Sequence, residues 1–340
     1  MARIIISILG AQTIPNILFI KEFDRSKNTK HVFISSKEMN ELQVAETIAA
    51  VCNLKPNQVQ VITLDNKSVL KINDVLQRAS FAETDEYVVN ITGGNKLMSQ
   101  MAFAFFAKMP KAAIYYLPIN EPAIQKLHPQ VAEVPLSVTL NLEEYFLAHN
   151  FLIHSIGTRT NFGFSPAYLF RDVIKNDGPA NVPLITRALT QEYNNPDKMY
   201  LMGAWFEEWL YDYFKISLQL KTDEIAYNIK LKHLRSTSRT ESDNEVDVAF
   251  VYNQKIYLLE CKVYSSSAPV KGEKITIPMY KNAAVSKNFG LQAKNFVAIL
   301  APMGNGQQRI KDLENQNISK VFTWDDFVNP QNIIDHIKLS

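Results

Sequence analysis

Asn244-Glu245-Val246-Asp247-Val248-Ala249-Phe250-Val251, followed after a short turn by Ile256-Tyr257-Leu258-Leu259-Glu260-Cys261-Lys262-Val263, is the stretch that decides how this chain is read. Both runs are rich in the β-branched and aromatic residues that favour strands. Tyr252-Asn253-Gln254-Lys255 between them reads as a hairpin turn with Asn253-Gln254 at its tip. That register sets Asp247 opposite Glu260. Side chains alternate along a strand, so Glu260 and Lys262 share one face, while Leu259, Cys261 and Val263 point the other way into a core. Asp247, Glu260 and Lys262 therefore converge on one patch.

Two carboxylates facing each other across a strand pair, about 5 Å apart at Cα, repel unless a cation or a proton lies between them. A divalent metal resolves the conflict. Carboxylate oxygens that leave room for water suit Mg²⁺ or Mn²⁺, and a lysine beside them can stabilise a developing oxyanion or help to position a metal-activated water. In outline this is a phosphodiester-cleaving site. The bland alternative is a solvated strand face on which Lys262 neutralises its acidic neighbours. Against it stand the nearly continuous apolar flanks, which imply a buried sheet where unpaired carboxylates are costly.

Asp247 followed by Glu260-Cys261-Lys262 resembles the PD-(D/E)xK restriction-endonuclease-like superfamily, and Glu245 resembles the first acid of its ExD variant. The resemblance implies a further acid on a preceding helix. Gly203 to Phe214 has helical periodicity, with Trp205, Phe206, Trp209, Leu210, Tyr213 and Phe214 on one broad apolar face. Steps of about 100° per residue place Glu207 at the margin of that face and Glu208 nearly opposite its centre. Taken alone, an acid at a face edge is a solvated flank. With the superfamily pattern, Glu207 is expected as the helix acid and as a third metal contact beside Asp247 and Glu260, with Glu208 the fallback. The basic stretch Lys230 to Arg239 just before the hairpin is either a phosphate-backbone contact or a solvated loop.

At 340 residues the chain predicts two domains. A formal net charge of +2 is too small to announce a nucleic-acid binder by bulk charge, so any such surface is local. Cys52 and Cys261 have no CxxC partner, and the six histidines form no HxxxH or HExxH pattern, which argues against zinc. Two isolated cysteines suit a reducing compartment. No run approaches the length of a membrane span, and Arg3 to Leu9 reads as a strand and not as a signal peptide, so a cytoplasmic protein without membrane partners is expected.

The N-terminal half alternates strand and helix. Strands are predicted at Arg3 to Leu9, His31 to Ser35, Gln58 to Leu64, Glu86 to Ile91 and Ala112 to Leu117. Helices are predicted from Ser36 to about Cys52, near Ser68 to Ala79, and from about Lys96 to Lys108. Such units imply a doubly wound, Rossmann-like parallel sheet whose ligands bind beyond the C-terminal strand ends. Two loops lie there, Gly10 to Pro15 and Thr92-Gly93-Gly94-Asn95-Lys96. In the second, paired glycines let backbone amides approach a ligand, the following helix offers its N-terminal amides, and Lys96 adds charge, which together favour a phosphate. The alternative is a plain Gly-Gly turn with an exposed lysine. Neither GxGxxG nor a Walker A loop is present, so NAD binding and ATP hydrolysis are poorly supported.

Asn90-Ile91-Thr92-Gly93-Gly94-Asn95-Lys96-Leu97-Met98-Ser99 is similar to the signature of CARF domains, the CRISPR-associated Rossmann-fold sensors. This resemblance covers about residues 1 to 145. It implies a homodimer that binds one cyclic oligoadenylate across its two-fold axis, with Gln12, Thr13, Thr92, Gly93, Gly94, Asn95 and Lys96 as ligand contacts. Pro118 to Leu140 is expected to add sheet-edge strands, and Asn141 starts a helix to about His149. The boundary falls near Ala148 to Gly157, giving a sensor over 1–148 and a linker plus nuclease domain over 149–340. Turn signals follow at Asn176 to Pro179 and Asn194 to Asp197. After Lys262 come a polar connection from Ser265 to Thr276 and a helix from Met279 to Phe289. Then follow a strand from Asn295 to Ala301, a flexible loop from Pro302 to Gln308, a helix near Arg309 to Asn315, a strand from Lys320 to Thr323 and a last helix.

With both halves read this way, the chain is similar to the stand-alone CARF nucleases of type III CRISPR defence. That family implies activation by cyclic tetra-adenylate and Mn²⁺- or Mg²⁺-dependent cutting of DNA, single-stranded or by nicking of duplex, and in some members of RNA. Glu207, Asp247, Glu260 and Lys262 would be its catalytic set here. The rival readings are a DNA-only restriction-type endonuclease and a cyclic-nucleotide sensor that binds nucleic acid without cutting.

Overall fold

The protein's structure, a computed structural model, describes residues 2–24, 28–65, 67–118, 121–159, 166–175, 178, 200–235, 244–264, 270, 272–301, 303, 306–316 and 318–339. The turn signals at Asn194 to Asp197 and most of those at Asn176 to Pro179 lie outside the described residues, as do 236–239 of the basic stretch and 302, 304 and 305 of the expected flexible loop, whose last residues, Gly306 to Gln308, open a helix instead. The chain divides into two compact units, Met1–Leu140 with Leu147–Asn150, and Asn141–Phe146 with Phe151–Ser340.

The first unit runs β1 (Arg3–Ile8), α1 (Ile14–Phe23), β2 (Lys30–Ser36), α2 (Lys37–Glu41), α3 (Val44–Val51), β3 (Val59–Leu64), α4 (Val69–Arg78), β4 (Glu86–Asn90), α5 (Lys96–Phe106), β5 (Ala112–Tyr116), β6 (Ala123–His128) and β7 (Ala132–Pro135). Its sheet has the order β3-β2-β1-β4-β5-β6-β7. The first five strands are parallel and the last two antiparallel, so the Pro118 to Leu140 segment does add edge strands. Parallel strands must be covered on both faces. Accordingly Ile5, Ile6, Ile8, Phe33, Ile34, Val89 and Ile114 are all buried.

The single helix expected from Ser36 to Cys52 is two. Gln43, in the left-handed region at φ 51°, separates α2 from α3. The physical reason is a change of environment. α2 buries no residue, whereas α3 buries Val44, Ala45, Thr47, Ile48 and Val51, and a continuous helix could not turn both faces correctly.

In the second unit come α6 (Leu142–Leu147), whose last residue belongs to the first unit, β8 (Phe151–Ser155), α7 (Pro166–Lys175), α8 (Trp205–Ser217), β9 (Ile225–His233), β10 (Asn244–Tyr252) and β11 (Lys255–Val263). They are followed by α9 (Gly272–Ser286), β12 (Lys294–Leu300), α10 (Gly306–Asn315), β13 (Lys320–Phe322), α11 (Trp324–Val328) and α12 (Gln331–Leu339). The sheet order is β13-β12-β11-β10-β9-β8, antiparallel from β8 to β11 and parallel from β11 to β13. The β10–β11 turn has Asn253 at φ 49° and Gln254 at φ 63°, the two left-handed positions of a tight hairpin whose twist matches its strands.

Two expectations need correction here. Lys230 to His233 belong to β9, with Leu231 buried, so the basic stretch does not begin as a loop. The helix expected from Met279 starts seven residues earlier, at Gly272, and contains Pro278. Proline lacks the N–H that would bond the carbonyl four residues back. That carbonyl, on Lys274, instead accepts the Tyr264 hydroxyl at 2.7 Å, which is why the helix tolerates the proline.

Candidate functional site

The two glycine-bearing loops of the first unit emerge from β1 and β4, adjacent strands at the switch point of the sheet order, where ligands of doubly wound sheets bind. They meet backbone to backbone. A Cβ on Gly93 would fall on the Ile8 carbonyl, one on Gly10 would lie 3.0 Å from the Gly94 amide nitrogen, and Gly94 itself sits at φ 72°. The glycines are therefore required for the loops to touch. Asn95 caps α5, its side chain accepting from the Met98 amide at 2.9 Å, and the Ser99 hydroxyl donates to the Gly93 carbonyl at 3.0 Å.

Of the expected ligand residues, Gln12, Gly94, Asn95 and Lys96 are exposed and Gly93 is half-buried. Thr13 is buried, and its hydroxyl donates to the Ala148 carbonyl at 2.8 Å. Thr92 is also engaged internally. Its amide and hydroxyl both donate to Asn90 Oδ1, at 3.0 and 2.6 Å, and its oxygen accepts from the Leu117 amide at 2.7 Å. Asn90 in turn donates to Asn16 Oδ1 at 2.8 Å, and Asn16 donates to the Ile8 carbonyl at 3.1 Å. Sequence reasoning missed Asn16 and Asn90 as supports of these loops. A buried asparagine at the start of a helix pattern was the available signal.

In the second unit the β10–β11 ladder runs from Tyr252 opposite Lys255 to Val248 opposite Leu259, the register expected, and closes one step short of Asp247 and Glu260. Past that point Asp247 supplies the acceptor that a ladder carbonyl would, its Oδ2 taking the Cys261 amide at 2.6 Å. Glu260 is 3% exposed. Lys262 Nζ lies 2.7 Å from Glu260 Oε1 and 3.6 Å from Asp247 Oδ2, and donates to the Cys261 carbonyl at 3.1 Å. Lys262 is thus in contact with both acids singled out from the hairpin.

A fourth charged residue, missed in the sequence, joins them. Lys281 on α9 reaches Glu260 Oε1 and Oε2 at 3.1 and 3.2 Å. Its helix is pinned by the next residue: buried Asn282 donates to the carbonyls of Leu258 and Phe296 at 3.1 and 2.7 Å, one on β11 and one on β12. A lysine 21 residues after Glu260 gave no signal, because its position depends on the start of α9.

Glu207 feels the same cluster. Burial, then the negative charge of Asp247, pushes its carboxyl up to about 8, against the pull of Lys262. Burial and the charge of Glu260 also raise Asp247 above the ordinary carboxylate range. Burial alone would depress Lys262, but Asp247 and Glu260 outweigh it and hold the ammonium above its ordinary value, so it stays charged through the neutral range. Burial pushes the Cys261 thiol far up as well, which removes it as a nucleophile.

Glu208 is not the solvated residue its helical angle suggested. It is 2% exposed, accepts the Tyr200 hydroxyl at 2.8 Å and lies 3.9 Å from Arg159, which also pairs with Asp212. Glu208 therefore faces a separate cluster with Tyr200 and Arg159, and Glu207 is the acid of α8 that feels the charge of Asp247.

Among the described residues no three His, Cys, Asp or Glu side chains stand together in a group that would enclose a metal ion. The donor chemistry nevertheless fits a hard divalent cation. Mg²⁺-type sites commonly use one or two carboxylates with water and substrate oxygens, and here burial first, and then the charge of neighbouring acids, raises Glu207 and Asp247 despite the pull of Lys262.

One consequence is testable without substrate. A carboxyl held near 8 keeps in the folded state a proton that the unfolded chain releases near 4.5, so Glu207 makes stability fall as pH rises from about 4.5 to about 8 and then level off. Glu207→Gln is expected to flatten that slope and to raise the thermal midpoint at pH 8 more than at pH 5 in metal-free buffer. Parallel curves for both proteins would refute the assignment.

Residues 4–145 match the family model of the Card1 CARF domain. The chain is also similar in structure to Can2 from Sulfobacillus thermosulfidooxidans, solved in complex with cyclic tetra-adenylate. The TM-score is 0.75 and the identity 15%, over 98% of each chain. Protein VC1899 from Vibrio cholerae matches at TM-score 0.75 and 14% identity, over 98% of this chain and 97% of that one. No curated protein matches the chain. At these identities the likeness establishes a shared fold along nearly the entire length. Among the described residues no helix is long and apolar enough to cross a membrane.

Proposed function

We propose that this chain, whose residues 4–145 match the Card1 CARF domain, is a nuclease of type III CRISPR defence, switched on by a cyclic oligoadenylate and cutting phosphodiester bonds with a divalent metal. The observation that carries the reading is Glu260, buried against Lys262 with Asp247 alongside where two strands part, in a chain whose residues 4–145 match a CARF domain. Cyclic tetra-adenylate is the preferred activator, in keeping with the ligand of Can2. It would sit across a homodimer against Gln12, Gly93, Gly94, Asn95 and Lys96, with Thr13 and Thr92 holding the loops from behind.

Asp247 and Glu260 would hold Mg²⁺ or Mn²⁺, with Glu207 the third acid in electrostatic reach of them. The ion would supply Lewis-acid polarisation of the phosphodiester. Lys262, charged and fixed by Glu260 and the Cys261 carbonyl, presents N–H donors to the oxygen on which negative charge grows. Activation requires that the ligand bind the cutting arrangement more tightly than the resting one.

The deciding experiment is cleavage of labelled single-stranded DNA, plasmid and RNA with Mn²⁺, with and without cyclic tetra-adenylate, in wild type and Lys262→Ala. Activator-dependent cutting that falls by about 10²-fold or more in the variant is expected. No cutting with any metal or activator, or equal rates in both proteins, would overturn the proposal.

A further inference from the structure

We infer that Lys281 is a substrate-phosphate contact of this site, held on Glu260 while no metal is bound and released from it when the metal binds; the inference rests on the nuclease reading above. Glu260 carries two ammonium groups. They differ in how they are tied. Lys262 is anchored three ways, to Glu260, to Asp247 and to the Cys261 carbonyl. Lys281 contacts both Glu260 oxygens, and its side chain is 49% exposed.

A divalent cation arriving at Glu260 competes with both ammonium groups for the same oxygens and repels them. The less constrained of the two gives way, and that is Lys281. Its helix stays where it is, because Asn282 bonds it to β11 and β12, so the freed ammonium remains at the rim of the site. An ammonium on a flexible stem is well suited to a phosphate oxygen as a point charge. The phosphodiester that the metal recruits is the nearest anion available.

The test uses the full-length protein and two measurements on Lys281→Met, with Lys281→Arg alongside. In a thermal-shift titration with Mn²⁺ alone, the methionine variant is expected to reach its half-maximal shift at a several-fold lower Mn²⁺ concentration, because no ammonium has to be displaced. In fluorescence anisotropy, a phosphorothioate oligonucleotide is titrated with Mn²⁺ and cyclic tetra-adenylate present. There the methionine variant is expected to bind several-fold more weakly, with a salt dependence shallower by about 0.7, the slope of one phosphate contact on a single strand. Arginine restores the slope. An unchanged Mn²⁺ midpoint or an unchanged salt slope in Lys281→Met, beside a wild type that responds to both, overturns this inference alone. A wild type that shows no Mn²⁺ shift and no oligonucleotide binding overturns the nuclease reading and this inference with it.

Discussion

Glu260→Gln is expected to lower metal-dependent cleavage by about a thousandfold, the scale on which loss of a transition-state-stabilising group is felt. The substitution keeps shape and an acceptor oxygen but removes the charge on which Lys262 and Lys281 converge and that a metal would need. Stability should suffer little. The two lysines are 34% and 49% exposed, so their ammonium groups can turn to water, and the cost is about 1 kcal/mol or less. The checks are the initial cleavage rate at saturating activator and the Mn²⁺-induced thermal shift, which the variant should lose. A variant cutting at the wild-type rate would show that Glu260 is a structural acid only.

Gly93→Ala is expected to damage the other half of the molecule as severely. Its Cβ has no room against the Ile8 carbonyl, and both partners are backbone, so the β1 and β4 loops must separate. Forced overpacking of this kind costs about 3 kcal/mol. Cyclic tetra-adenylate affinity, followed by calorimetry, should fall at least about tenfold, and activator-dependent cutting with it. Basal nuclease chemistry, where present, should survive. Wild-type affinity together with a wild-type thermal midpoint would mean that the loops do not need their close approach.

These effects differ in how far they were visible from the residues alone. The Thr92 to Lys96 loop and the Asp247, Glu260, Lys262 set are local in sequence, and period-2 alternation fixes which side chains share a face. The tip at Asn253-Gln254 was legible for the same reason. What depended on three-dimensional packing was not. Lys281 reaches Glu260 because Pro278 is accommodated by Tyr264 and α9 begins at Gly272. Glu208 is buried because Tyr200, just ahead of its helix, and Arg159, from a distant part of the chain, come to it, which no helical wheel records. Thr13 and Thr92 carry the right residue types for ligand contact, yet their hydroxyls are committed to Ala148 and Asn90. The split at Gln43 was hidden because both halves are good helix formers and the environment changes between them.

The chain of bonds from the Leu117 amide through Thr92, Asn90 and Asn16 to the Ile8 carbonyl is built from hydroxyl, amide and carbonyl groups alone. None of these gains or loses a proton between pH 5 and 9. The scaffold that shapes the Thr92 to Lys96 loop is therefore blind to acidity, whereas the Glu207, Asp247 and Lys262 cluster consists of ionisable groups held away from their ordinary ranges. Acidification should leave the signal readable and mute the response: ligand affinity flat across the neutral range, with the yield of cutting per bound ligand changing beneath it.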